Sequence, residues 1–119
     1  MSNNVYWVLE LAIKPGELDN FKGLMTEMVQ ATQTNEPSTL NYEWAIGEDN
    51  KSCHIYERYA DSGATMTHLG AFGEKFAERF MANVEVTRFV VYGNPTGEVK
   101  EALSGFGAVF MSPIGGFAR

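Results

Sequence analysis

Apolar positions in this chain repeat with two different periods, and the order in which those periods alternate sketches a fold. Val5 to Ile13 is apolar at nearly every position: Val5, Trp7, Leu9, Leu11 and Ile13 share one face, and Tyr6, Val8 and Ala12 the other, with Glu10 interrupting. A strand apolar on both faces is expected to be covered on both. Lys14-Pro15-Gly16 ends it as a turn. From Glu17 the period lengthens. Leu18, Phe21, Leu24, Met25, Met28 and Val29 return every three or four residues, the stripe of an amphipathic helix. Glu17 and Asp19 suit the positive end of that helix. The stripe fades at Thr32, and Pro37 stops it.

Alternation returns from Thr39 to Gly47, where Leu40, Tyr42, Trp44 and Ile46 oppose Asn41, Glu43 and Ala45. Glu48-Asp49-Asn50-Lys51 reads as a hairpin turn. A third strand, Ser52 to Tyr59, puts Cys53, Ile55, Glu57 and Tyr59 on one face and His54, Tyr56 and Arg58 on the other. Asp61-Ser62 caps a second helix carrying Ala64, Met66, His68 and Leu69, with a break or bend expected near Gly70 or Gly73. Beyond it Phe72, Phe76 and Phe80 lie four apart, which predicts rings stacked along one side. A fourth strand, Val84 to Tyr92, closes the unit before Gly93-Asn94-Pro95.

The order is β-α-β-β-α-β, an α+β ferredoxin-like arrangement whose antiparallel sheet carries its helices on one face. The other face would hold large residues with nothing over them. A second copy packed face to face, a homodimer, is the expected solution. From Thr96 a short helix is expected to run to about Leu103, followed by a Gly-rich, strongly apolar stretch from Gly105 to Phe117. That stretch is too apolar to remain in water, so it is expected to dock on the domain or on the partner subunit, as a dimer clasp in preference to a pocket lid. Residues 1–94 thus read as one domain and 95–119 as a C-terminal extension.

Composition narrows the function classes. A net charge of −6 argues against nucleic acid or an anionic membrane as partner, since both call for a basic face. Cys53 is the single cysteine, so an internal disulfide is impossible, and a buried strand thiol in a reducing compartment is expected. The polar start and the lack of a long apolar run point to the cytoplasm.

The usual catalytic signatures are missing: no phosphate-binding or dinucleotide glycine loop, and no nucleophile elbow. His54 and His68 are the only histidines, and their spacing, without a clustered acid set, argues against a built-in metal site. What remains is acid–base chemistry in an apolar pocket. His68 is the best base by type, because an imidazole titrates near neutral pH. Glu57 is a candidate polar group beside it, and Tyr42, Tyr56 or Tyr59 would hydrogen-bond a substrate oxygen. Trp44, Phe72 and Phe76 would supply apolar walls, though Trp7 and Trp44 also fit a sheet or dimer core. His54 falls opposite Glu57 and reads as surface or interface.

The Tyr42-Glu43-Trp44 strand, the Tyr56-Glu57-Arg58-Tyr59-Ala60-Asp61 junction and Thr67-His68-Leu69 resemble the antibiotic biosynthesis monooxygenase family of dimeric α+β barrels, over about residues 5–92. The resemblance implies a quinol- or anthrone-type monooxygenase that needs no cofactor, with a small hydroxylated aromatic and dioxygen as substrates. Haem-degrading members are expected to use an asparagine on the first strand and a tryptophan and a histidine around the second helix. Those places fall near Leu9, His68 and Glu78 here, and none matches. A non-catalytic protein that binds a quinone or another lipophilic metabolite, and a haem-degrading enzyme with a replaced catalytic set, stand as alternatives.

Overall fold

The computed structural model describes residues 2–119. Its elements run β1 (Val5–Ile13), α1 (Leu18–Asn35), β2 (Thr39–Ile46), β3 (Ser52–Tyr59), α2 (Ser62–Lys75), α3 (Ala77–Asn83), β4 (Val84–Gly93), α4 (Gly97–Ser104) and β5 (Val109–Met111). One sheet of order β2-β3-β1-β4-β5 is antiparallel throughout except at the β4–β5 edge. This is the ferredoxin-like α+β fold expected from the sequence, extended by α4 and β5. Among the described residues no helix is long and apolar enough to cross a membrane.

Register decides what faces the helices. Trp7 lies opposite both Glu57 and Val91, and Glu57 opposite Tyr42, so these four form one row across the sheet. The next row is Trp44, Ile55, Leu9 and Phe89. A β-bulge between Glu10 and Leu11 pairs Glu10 with Arg88 but Leu11 with Val86, leaving Thr87 as the extra residue. Its hydroxyl donates to the Glu10 carbonyl at 3.0 Å. Val86 and Phe89 are three apart and would face opposite ways in a regular strand; the bulge brings both to the helix side.

Two apolar clusters fill the space under the helices. One joins Leu11, Ile55 and Val84 to Phe21, Leu24 and Met28 of α1 and to Phe80. The other joins Val5, Trp7, Tyr59, Phe89 and Val91 to Val99 and Leu103 of α4. Leu9 and Val86 touch both clusters, at the seam between them.

The expected break at Gly70 or Gly73 is not where the helix ends. α2 continues through both glycines to Lys75. Glycine costs a helix interior only about 1 kcal/mol relative to alanine, which packing readily offsets. The interruption comes at Phe76 (φ −127°, ψ −23°), which ends α2 and precedes α3. It changes the aromatic arrangement. Phe72 and Phe80 would stand about 12 Å apart along a straight helix, yet their rings meet edge to face at 5.4 Å. Phe76 lies instead against the Arg79 guanidinium, 5.6 Å from the ring centre.

The C-terminal segment docks as far as Met111. Thr96 caps α4, its hydroxyl accepting from the Val99 N–H at 3.4 Å, and α4 buries Val99 and Leu103. β5 then adds to the free edge of β4. Beyond it Ile114 and Phe117 are exposed in the single chain. The face of the sheet away from the helices holds Tyr6 and Tyr92, stacked at 5.3 Å, with half-buried Val8 and Tyr56 beside them.

Candidate functional site

The polar centre is assembled from three elements. α1 stops at Asn35, and Pro37 prevents Glu36 from continuing it. Glu36 is an extended cap residue (φ −129°, ψ 75°) whose N–H still bonds to the Thr32 carbonyl. Asp61 fixes the start of α2 by accepting from the Ala64 N–H at 2.8 Å. One turn apart on the inward side of that helix, Thr65 and His68 are both buried. β3 supplies Glu57 and Tyr59, two residues apart and therefore on the same face.

These groups close into a chain of hydrogen bonds. His68 Nδ1 is 2.8 Å from Glu36 Oε1, and His68 Nε2 is 3.3 Å from Glu57 Oε1. Tyr59 donates its hydroxyl to the same Glu57 oxygen at 2.5 Å. Thr39 donates to Glu36 Oε1 at 3.1 Å. The side chains of His68, Glu36 and Glu57 are only 7%, 8% and 6% exposed, so little water competes for these bonds. The rings of Tyr42 and Tyr59 flank the imidazole, each 5.2 Å from its centre.

An imidazole that offers a nitrogen to each of two carboxylates carries a proton on both. Burial disfavours the charge on His68, but the hydrogen bonds to Glu36 and Glu57, and their negative charges, outweigh it and hold the ring up at about 9. Burial also pushes the phenols of Tyr42 and Tyr59 well above their ordinary value, with the charges of Glu57 and Glu36 adding to the effect. At neutral pH the cluster therefore holds an imidazolium between the Glu36 and Glu57 side chains, flanked by two neutral phenols. His68 has no lone pair in this state, so the resting base foreseen from its residue type becomes an acid and a counter-charge. Of the two carboxyl groups that meet the ring, Glu57 is the one on the cavity lining.

Tyr42, Glu57 and His68 of this cluster are the polar lining of a cavity of about 50 Å³. The sheet contributes Trp7, Leu9, Tyr42, Ile55, Glu57, Val86 and Phe89; the helices contribute Met28, His68, Leu69, Phe72, Phe80, Met81 and Leu103; Phe106 follows α4. Of the residues singled out from sequence, His68, Glu57, Tyr42 and Phe72 come together here. Tyr59 stands behind the wall and holds Glu57. Three others lie elsewhere. Trp44 packs among Phe21, Tyr42 and Phe80, off the lining. Tyr56 lies on the opposite face of the sheet, because its neighbours Ile55 and Glu57 take the helix side. Phe76 is displaced by the break between α2 and α3.

His54 is exposed, 3.6 Å from Glu10. Cys53 is a buried free thiol, and burial pushes it up to about 11, well away from a reactive thiolate. Among the described residues no group of three His, Cys, Asp or Glu side chains is arranged to hold a metal ion.

Sequence reasoning missed Glu36, Trp7 and the far wall from Phe80 to Phe106. Glu36 did leave a signal. A carboxylate at a helix C-terminus opposes the macrodipole, so it calls for a partner that the local sequence does not supply.

The sequence matches the antibiotic biosynthesis monooxygenase family over residues 4–72. No curated protein matches it significantly. Among solved structures, MupZ from Pseudomonas fluorescens is similar with a TM-score of 0.87 at 21% identity, covering 100% of this chain and 91% of that one. SnoaB from Streptomyces nogalater, described as a cofactor-independent oxygenase, is similar with a TM-score of 0.66 at 14% identity, covering 80% of this chain and 96% of its own. A conserved protein from Methanosarcina mazei Go1 is similar with a TM-score of 0.66 at 18% identity, covering 78% of this chain and 94% of that one. At these identities the likeness is one of fold.

Proposed function

The chain belongs to the antibiotic biosynthesis monooxygenase family, and from that premise we propose that it is a monooxygenase needing no bound cofactor, acting with dioxygen on a small hydroxylated aromatic of quinol or anthrone type. The observation that carries the reading is the Glu57–His68 pair on the lining of an apolar cavity. The fold shared with SnoaB, a cofactor-independent oxygenase, supports it.

The chemistry needs an electron-rich anion and a dry site. Glu57 takes the substrate's phenolic or enolic proton, and the His68 imidazolium, with the Tyr42 hydroxyl, stabilises the anion that forms. The anion passes one electron to dioxygen, and the two radicals combine at carbon as a hydroperoxide. Loss of water then leaves a carbonyl, so one oxygen atom enters the product and the other departs as water. Glu57 returns its proton to the peroxide and then takes the remaining hydrogen of the oxygenated carbon as a proton. The O–O bond breaks, His68 protonates the departing hydroxide to water, and Glu57 passes its proton back to His68. Purified protein is expected to take up oxygen above the autoxidation rate with at least one member of a panel of hydroquinones, naphthols and anthrones, without added flavin, metal or haem. If these compounds raised the melting temperature but drove no uptake, the chain would be a binding protein. A haem-degrading role through His68 is disfavoured, since both ring nitrogens already face carboxylates.

A second reading has its own support. An imidazolium beside a carboxylate is a ready acid and base at neutral pH, and such a pair also serves isomerisation, hydration or ring closure without oxygen. Turnover that persists under nitrogen would select it.

The proposal includes a homodimer through the open face of the sheet, where Tyr6, Val8, Tyr56 and Tyr92 lie uncovered by any helix. The exposed Ile114 and Phe117 would then clasp the partner. Light scattering is expected to give twice the chain mass, and Tyr56→Asp to shift it toward one; a monomeric wild type would remove the dimer from the proposal.

A further inference from the structure

Among the described residues two buried side-chain atoms lack a hydrogen-bond partner, Trp7 Nε1 and Trp44 Nε1. Their settings differ. Trp44 is wedged among Phe21, Tyr42 and Phe80, off the cavity, whereas Trp7 lines it. An indole N–H only donates, and a buried donor without an acceptor bears its full desolvation cost. Trp7 meets Tyr59 and Phe89 through its rings at 5.0 and 5.4 Å. A phenylalanine would offer ring contacts there without stranding a donor, so packing alone does not account for the indole.

The surroundings indicate what could satisfy it. Leu9, Val86 and Phe89, which line the cavity with Trp7, offer no side-chain hydrogen bond; the polar groups of the lining are Tyr42, Glu57 and His68. Trp7 is also directly opposite Glu57 in the β1–β3 register. Directly opposite residues have their Cβ atoms about 4.5–5.5 Å apart, so one small molecule can meet both side chains. Glu57 shares the lining with Trp7, so a neutral acceptor fits beside it better than an anionic one.

We propose that Trp7 is a substrate-recognition residue, its Nε1–H donating to a neutral acceptor oxygen, a carbonyl or an ether, on the molecule that fills the cavity. This deepens the proposed function by naming one group of the substrate. It rests on the cavity as a ligand site and is independent of oxygen chemistry.

The chain has only two tryptophans, so protein labelled with ¹⁵N-tryptophan gives two indole signals, and Trp44→Phe identifies which belongs to Trp7. The probes are 1-tetralone and its hydrocarbon parent tetralin, neither of which carries the phenolic proton that Glu57 would take. Tetralone is expected to move the Trp7 indole proton downfield and to bind about tenfold more tightly than tetralin. Trp7→Phe is expected to erase that preference, and Trp44→Phe to preserve it. A Trp7 signal that treats the two ligands alike, or that answers neither, would overturn the assignment. Because the signal is read in wild-type protein, the result does not depend on how the variant folds. A downfield shift with tetralone alongside failed oxygen uptake would sink the oxygenase and leave Trp7 its role; uptake without the shift would do the reverse.

Discussion

Glu57→Gln is expected to lower the rate of oxygen uptake on a phenolic substrate by about 10²- to 10⁴-fold, the usual contribution of a positioned general base. Glutamine has nearly the same shape, and its amide oxygen can still accept the Tyr59 hydroxyl that now bonds to Glu57 at 2.5 Å. What it lacks is a site for the substrate's proton. The loss should therefore appear in kcat, with KM changed little, because the cavity walls stay in place. His68 would lose one of its two carboxylates in the variant, so the wild-type pH profile separates the two residues. The imidazolium is held at about 9, and wild-type activity is expected to fall as pH rises through that value. A Glu57→Gln enzyme with unchanged kcat would return the proton-accepting role to another group.

Glu36→Ala is expected to destabilise the fold by about 3–5 kcal/mol, the usual result of removing one partner from a buried ion pair. Glu36 meets His68 at 2.8 Å with both side chains less than a tenth exposed. The charges facing the ring are Glu36 from the end of α1 and Glu57 from β3, with the phenols of Tyr42 and Tyr59 on β2 and β3 beside it. The sign of the pH dependence follows from the folded ring titrating above the unfolded one. The stabilisation is fully present below about 6.5 and is lost as pH rises through about 9. Urea denaturation at pH 6 and at pH 9.5 should show wild-type stability lower at the higher pH. In the alanine variant the difference should shrink, because the ring has lost its stronger partner. Equal wild-type stability at the two pH values would mean that the ring is not charged in the folded protein.

The strands and the first helix were legible because their periods were clean. Val5–Ile13 and Ser52–Tyr59 carry continuous or alternating patterns bounded by turn residues, and both match the observed strands. The end of α2 was misread because glycine is a weak helix breaker, whereas the interruption at Phe76 follows from tertiary packing that lets Phe72 and Phe80 meet. His68 and Glu57 were visible as polar residues on otherwise apolar elements. Their protonation was not, since it depends on Glu36, thirty-two residues away and beyond any local pattern. Trp44 and Tyr56 had the right residue types but the wrong positions. A one-residue step along a strand reverses a side chain's face, and that alone excludes Tyr56. The far wall was hidden for another reason: the bulge at Thr87 turns Phe89 inward, and no periodicity in the sequence announces a bulge.

The cavity is built from two separate lengths of the chain. Trp7, Tyr42, Glu57 and His68 all lie inside the stretch held in common with the family, while Phe80, Met81, Val86, Phe89, Leu103 and Phe106 come after it. All of the polar lining thus falls within the family stretch, while the apolar walls are shared between that stretch and the C-terminal third. A change among Phe80 to Phe106 therefore reshapes one wall of the cavity and leaves the polar lining in place.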